Sequence, residues 1–313
     1  MQQARENERH ERRDWIIILL IILIGFLCVI VAGQWAVRFS PRWELNTNMD
    51  SKLNPNSAFL TSIPQGEIEA IDPAILTPRL RLRPAFDDYW IGTDSLGRDL
   101  LARVLYGGRL SITLAVLVSL LAVACGLLIG LVAGYFRRLD PIVMRIMDGI
   151  MAIPGLLLAV TLVALAGANI ASMVVAISIP EIPRIARLVR SVVLSVREAP
   201  FVEVSVGMGT PTWKVILRHI LPSTLNPLVV QATFVCAAAI LTEAALGFLG
   251  LGFPPEIPSL GSIIAEGRPF FQRAPWVVLY PGIFLALLIL SVNLFGDALR
   301  DRLDPRMARQ IRS

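Results

Sequence analysis

The sequence predicts an all-α membrane protein with six transmembrane helices and both termini in the cytoplasm. Three observations predict it. Apolar residues make up 55% of the 313 and charged residues only 17%, too few polar groups to cover a water-soluble fold. The apolar residues gather in stretches near the ~20 residues that a bilayer-crossing helix needs. Basic residues collect between alternate stretches, the mark of cytoplasmic loops.

The N-terminal tail, 1–14, has Arg12 and Arg13 but also Glu6, Glu8, Glu11 and Asp14. That acidic content and the length of the apolar run after it argue for a retained first helix over 15–37, against a cleaved signal peptide. Residues 38–109 contain six prolines and nine basic residues balanced by nine acidic ones. This stretch reads as a long extracytoplasmic segment with little regular structure.

The second helix is expected over 110–134, the third over 149–168, the fourth from Ile170, the fifth over 227–253 and the sixth over 276–295. Together they form a five-helix core, 110–299, followed by a cytoplasmic tail, 300–313. The fourth is the doubtful one, because its apolar run ends at Pro180 and Glu181. Charge supports its crossing. With six crossings the inside pieces hold 18 basic residues, and the short outside loops hold only Arg268 and Arg273. If the fourth segment failed to cross, the six basic residues of 181–219 would move outside, against the positive-inside rule. The net charge of +5 is therefore an orientation signal with scope for anionic-lipid contact, and nucleic acid is not an expected partner.

The inventory excludes most chemistries. His10 and His219 are the only histidines, and Cys28, Cys125 and Cys236 stand singly in apolar runs. Without a C-x-x-C or H-E-x-x-H spacing, no metal site is expected. Lys52 and Lys214 are the only lysines and neither sits in a G-x-x-x-x-G-K-[ST] loop, so no phosphate loop is present and no catalytic residue is assigned. A membrane-embedded hydrolase would need clustered His/Asp or Ser/Lys at membrane depth, where Glu243 stands alone.

Three features inside the spans call for explanation. Gly126, Gly130 and Gly134 share one helix face and permit close backbone approach, within the chain or between subunits. Pro154, Pro180 and Pro183 kink helices and free carbonyls, which suits a gate or mere kinked packing. Glu243 must face protein or water, as a path residue or as a structural hydrogen-bond partner.

The most informative segment is 197–222, REAPFVEVSVGMGTPTWKVILRHILP. Phe201 to Met208 can form a short helix ended by Gly209. Thr210 then serves as N-cap with Pro211 at N1. The second helix places Trp213, Ile216, Leu217 and Ile220 on one apolar face. Such a pair lies on lipid or fits a partner's groove. His219 reads as a packing or capping residue rather than a pH switch.

This segment resembles the cytoplasmic coupling motif of ABC importer permeases, in which Glu203, Gly209, Leu221 and Pro222 stand at the family spacing; Val204, Ser205 and His219 depart from it. Gly92, Thr93, Asp94, Gly97, Arg98 and Asp99, with YGGRLS at 106–111, resemble the entry to the second span of dipeptide/oligopeptide-type permeases. EAALGFLGLG at 243–252 resembles their fifth-span end. Gly296, Asp297, Arg300 and Asp301 fall in a stretch similar to their C-terminal signature. Leu260 replaces the usual tryptophan before Gly261. The resemblance covers about 90–306.

It implies a type I ABC importer permease fold in a bacterial inner membrane, forming half of a translocation path for di- or oligopeptides. It also implies a second homologous permease, two cytoplasmic ATPase subunits that bind ATP and magnesium, and an extracytoplasmic binding protein. Related permeases take glutathione or nickel chelates. The alternative class is a gradient-driven secondary transporter, which would show paired broken helices in two halves.

Overall fold

The computed structural model describes residues 82–85, 90–254 and 257–303. The expected first helix, both tails beyond these limits and most of the 38–109 segment lie outside the described residues. Among those described, nine α-helices account for nearly all of the chain: α1 Leu100–Tyr135, α2 Asp140–Met151, α3 Gly155–Ala166, α4 Ile170–Arg197, α5 Pro200–Gly207, α6 Thr212–Val215, α7 Leu221–Phe248, α8 Leu260–Gly267 and α9 Trp276–Leu303. A π-helical turn, Ile216–Ile220, joins α6 to α7, and a 3-10 turn, Arg268–Phe270, follows α8.

Three stretches are long and apolar enough to cross a membrane: Leu100–Tyr135, Thr212–Phe248 and Trp276–Asp301. A fourth is a broken pair, α2 and α3, bent by 83°. These helices correct several sequence expectations. The second helix begins ten residues before 110, because Arg103 is folded into an ion cluster instead of ending the apolar run. The third span is not one helix. Gly149 to Met151 close α2, Pro154 caps α3 in an extended conformation (ψ 126°), and α3 alone is only 12 residues. The fourth helix does not stop at Pro180 but continues through Pro183 to Arg197. The fifth begins at Leu221 and takes Pro227 into its interior, and the sixth runs on to Leu303.

The chain divides into two compact units. One comprises Thr113–Thr242 and the chain from Ile289 on; the other comprises the described residues up to Ile112 together with Glu243–Leu288.

In the first unit, α1 lies along α4 on a seam of three glycines. A methyl at Gly126, Gly130 or Gly134 would come within 2.6 Å of Cβ of Ile185, Val189 or Val193, respectively. Glycines four apart thus face β-branched residues four apart, and the open choice for this motif resolves to packing within the chain. Because Val189 and Val193 pack here, α4 stays helical past its two prolines. Ser178 Oγ donates to the Val118 carbonyl of α1 at 3.3 Å, and Ser119 Oγ of α1 donates to the Ala232 carbonyl of α7 at 2.9 Å. Gly296 of α9 meets Thr233 of α7 so closely that a side chain would overlap it.

In the second unit, small residues again set the spacing. Gly261 of α8 lies against the Ala244 carbonyl, and Gly107 of α1 lies against Ser259 and Leu260. Leu260 is fully buried there. Ser259 caps α8 in a reciprocal box with Ser262.

The seam yields a direct test. Gly130→Ala drives a methyl into Val189 and the Ala186 carbonyl and is expected to cost about 1–3 kcal/mol. Gly149→Ala, where nothing lies within 4 Å, is expected to be neutral. Thermal unfolding of the purified variants in detergent checks this; equal Tm values would contradict the seam.

Candidate coupling surface and path residues

The segment 197–222 folds as a helical hairpin. Pro200 occupies the first turn of α5, where its missing N–H costs nothing. The helix ends as predicted at Gly209, which has φ +79°. Its amide donates to the Val206 carbonyl at 2.9 Å and the Thr210 amide donates to the Ser205 carbonyl at 3.2 Å, the paired bonds of a Schellman ending. Nothing lies within 4 Å of where a Gly209 side chain would point. Glycine is therefore required for backbone conformation and not for space.

The capping expectation needs correction. Pro211, with ψ 143°, is itself the N-cap of α6, and its carbonyl receives the Lys214 and Val215 amides. Thr210 is turned back and accepts the Ser205 hydroxyl at 3.1 Å. The expected apolar face is also divided. The π turn is wider than an α turn, so the later side chains rotate around the axis. Ile220 is buried with Val215, and Ile216 is half-buried, whereas Trp213 and Leu217 are exposed.

Phe201, Val204 and Val206 of α5 and Met208 at its C-cap are exposed as well. Met208 is 76% and Trp213 60% exposed. Six large apolar side chains, each worth roughly 1.5–3 kcal/mol on full burial, are thus exposed on either side of the turn at Gly209. Glu203 is exposed beside them. Leu221 and Pro222 open α7. His219 packs its ring 6.0 Å from that of Phe201, the packing role expected of it.

The hairpin is tied to the helices of its unit through α4. Arg197, the last residue of α4, donates to the Gly134 and Tyr135 carbonyls at 3.1 and 3.2 Å, closing the free carbonyl end of α1. Arg190 forms a two-pronged pair with Asp140, at 2.5 and 2.6 Å, and Arg187 pairs with Asp148 at 2.5 Å. These two pairs strap α2 to α4.

Glu243 is fully buried in the second unit, where it accepts the Ser111 hydroxyl on Oε2 at 2.6 Å. Its neighbours on α7 pack closely on α8: Ala244 lies against Gly261, and Gly247 against the Ser259 cap. The Ser111 bond links α7 to α1, while Oε1 of Glu243 is buried with no hydrogen-bond partner among the described residues. Pro154 stands at the bend between α2 and α3, exposed.

The stretch Gly92 to Asp99 forms a closed turn. Gly92 and Gly97 have φ +86° and +82°. Asp94 Oδ1 accepts the Leu96 and Arg98 amides, and its Oδ2 pairs with Arg98 Nε at 2.7 Å and Arg103 Nη1 at 2.6 Å. Both arginines also reach Glu266 of α8, at 2.9 and 2.8 Å. Thr93 is buried and accepts the Arg83 amide; Asp99 caps α1 by accepting the Leu101 amide. Arg103 and Glu266 complete this cluster and carry no local sequence signal. At the other end of the chain Gly296 packs on Thr233, while Asp297, Arg300 and Asp301 are exposed. Among the described residues no group of three His, Cys, Asp or Glu could hold a metal ion.

Burial would raise the Asp94 carboxyl, but the charges of Arg98 and Arg103 and the Arg98 hydrogen bonds outweigh it and hold it below its ordinary value. A depressed carboxyl contributes stability that is complete above the unfolded carboxylate range and lost only as pH falls through the lower native value. Protection of the Leu96 and Arg98 amides from hydrogen exchange is therefore expected to hold from pH 7 to 5 and to fail only below about pH 4. In Asp94→Asn it is expected to be weak throughout; loss between pH 7 and 5 in the native chain would contradict the cluster.

Comparison with known proteins agrees with this construction. The profile of the binding-protein-dependent transport system inner membrane component family matches residues 126–309. The chain is 52% identical to "Probable peptide ABC transporter permease protein y4tQ" of Sinorhizobium fredii, over 76% of its own length and 82% of that protein. It is 42% identical to a dipeptide transport system permease protein of Alkalihalophilus pseudofirmus, over 74% of its length and 76% of that protein. Against a glutathione transport system permease protein of Pectobacterium atrosepticum it is 40% identical, over 70% and 73%. An inward-facing structure of the MetNI methionine ABC transporter superposes with a TM-score of 0.53 at 21% identity, covering 66% of this chain and 96% of that one, a likeness of fold. The chain belongs to the binding-protein-dependent transport system inner membrane components, the permease subunits of ABC importers.

Proposed function

We propose that this chain is one of two homologous permease subunits of a bacterial inner-membrane importer for di- or oligopeptides. It crosses the membrane six times with both ends in the cytoplasm, α4 included, and its hairpin docks a cytoplasmic ATPase subunit. Two such ATPases bind ATP and magnesium and supply the work, so the chain itself is a conduit and not an enzyme. An extracytoplasmic binding protein delivers the peptide. The observation that carries this reading is the hairpin: Phe201, Val204, Val206, Met208, Trp213 and Leu217 are exposed on either side of the turn at Gly209.

The substrate class is drawn from the relatives, whose names specify peptides, dipeptides and glutathione. All three are peptide-bonded molecules with free charged termini. The gradient-driven alternative is disfavoured by the family itself, whose members are permease subunits of ABC importers.

The coupling role is tested at the turn. A β-branched residue at φ +79° costs about 1–2 kcal/mol or more, and it distorts the hairpin without touching a span. Gly209→Val and Glu203→Lys are expected to insert and assemble normally but to lose binding-protein-stimulated ATPase activity and dipeptide uptake in proteoliposomes. Undiminished uptake in both variants would overturn the reading.

A further inference from the structure

α4 carries four arginines, and three of them have structural work. Arg187 and Arg190 strap α2, and Arg197 closes α1. Arg184 differs. Its only hydrogen bond among the described residues is from Nη1 to Oε2 of Glu181, at 3.0 Å, one turn back on the same helix. The Arg184 side chain is 57% exposed and that of Glu181 14%. One of five guanidinium N–H groups is thus engaged, and the fork is open to a planar anion.

The position of this pair matters. α4 begins at Asn169, whose side chain caps it in an exposed reciprocal box with Ser172. On the six-crossing reading α4 enters the membrane near Ile170. Glu181 lies eleven residues further, roughly 16 Å along the axis or about half of a ~30 Å hydrocarbon layer. Arg184 therefore lies within the layer and not beyond it, as the sequence count placed it. An exposed guanidinium and a carboxylate at that depth face water or protein and not lipid. The backbone around them is also polar. Pro180 and Pro183 lack N–H groups, so the Ala176 and Ile179 carbonyls lose their intrahelical donors. Gly155, beside the Pro154 break, lies against Pro180, so that a methyl on Gly155 would stand 3.2 Å from the Pro180 Cβ. The break at Pro154, the proline-bearing turn of α4 and an open ion pair therefore lie close together.

From this we infer that Glu181 and Arg184 form a station in the translocation path for the charged groups of a peptide. Arg184 receives carboxylates and Glu181 receives ammonium groups, whether terminal or on side chains. The inference rests on the peptide reading given above. Its physical logic is that a lone fixed charge would trap a zwitterion, whereas a self-neutralising pair offers both signs and releases both. The station orients a peptide in passage without holding it.

The test uses the complete complex in proteoliposomes with its binding protein, and Ala-Ala, Ala-Glu and Ala-Lys as substrates. Uptake by each variant is divided by wild-type uptake of the same peptide, which cancels selection by the binding protein. Arg184→Gln leaves Glu181 unbalanced and is expected to depress Ala-Glu more than Ala-Lys by about fivefold, the scale of a partly hydrated charge contact. Glu181→Gln is expected to invert that preference. An equal change for all three peptides in both variants, or a bias of the same sign in both, would overturn the inference and leave a pair that only supports α4. Should the wild-type complex carry none of the three peptides, the peptide reading itself would fail and take this inference with it.

Discussion

The close approach of α1 and α4 is the constraint on which the functional half of this chain depends. Glycines at 126, 130 and 134 let two backbones pack where any side chain would collide with Ile185, Val189 or Val193. Lipid offers helices no hydrophobic drive to associate, so packing of this kind must supply the attraction. The seam holds α4 helical through two prolines and carries it to Arg197. There the guanidinium closes the end of α1, and the coupling hairpin begins three residues later. A displacement of the hairpin would thus be transmitted to α1 and α4 at once, through one side chain and one seam. The straps from Arg187 and Arg190 add α2 to the same body.

Two sets of polar residues differ in their surroundings. Glu243 is fully buried and accepts the Ser111 hydroxyl. Among the described residues Glu181 and Arg184 are partly open and hydrogen-bond only to each other. The first arrangement suits cohesion, and the second is the station proposed above. Sequence position alone treats them alike, since both stand in apolar helices.

Much of the coupling site was legible before the structure, because its signals are local. Gly209 follows a short apolar helix at the spacing of a helix ending, and it has the left-handed backbone that glycine alone adopts freely. The π turn was not legible: the sequence reads as an ordinary helix after Thr210 with Trp213, Ile216, Leu217 and Ile220 on one face, and only the inward rotation of Ile220 reveals the extra width. The ion cluster around Asp94 was half visible. Asp94 and Arg98 sit one turn apart in the sequence, but Arg103 meets Glu266 across 163 positions. The extent of the fourth helix beyond Pro180, where its apolar run ends, was not legible for a related reason. A proline stops an isolated helix, and here the glycine seam, a tertiary contact, outweighs it.

The central claim is that the exposed apolar side chains of the hairpin are the seat of the ATPase. A photoreactive amino acid in place of Trp213, activated in the assembled complex in native membranes, tests it most directly. The coupling role predicts an adduct between this chain and the ATPase subunit. Its yield should change when ATP is replaced by a non-hydrolysable analogue. Adducts confined to lipid, or to the binding protein on the opposite side, would contradict it.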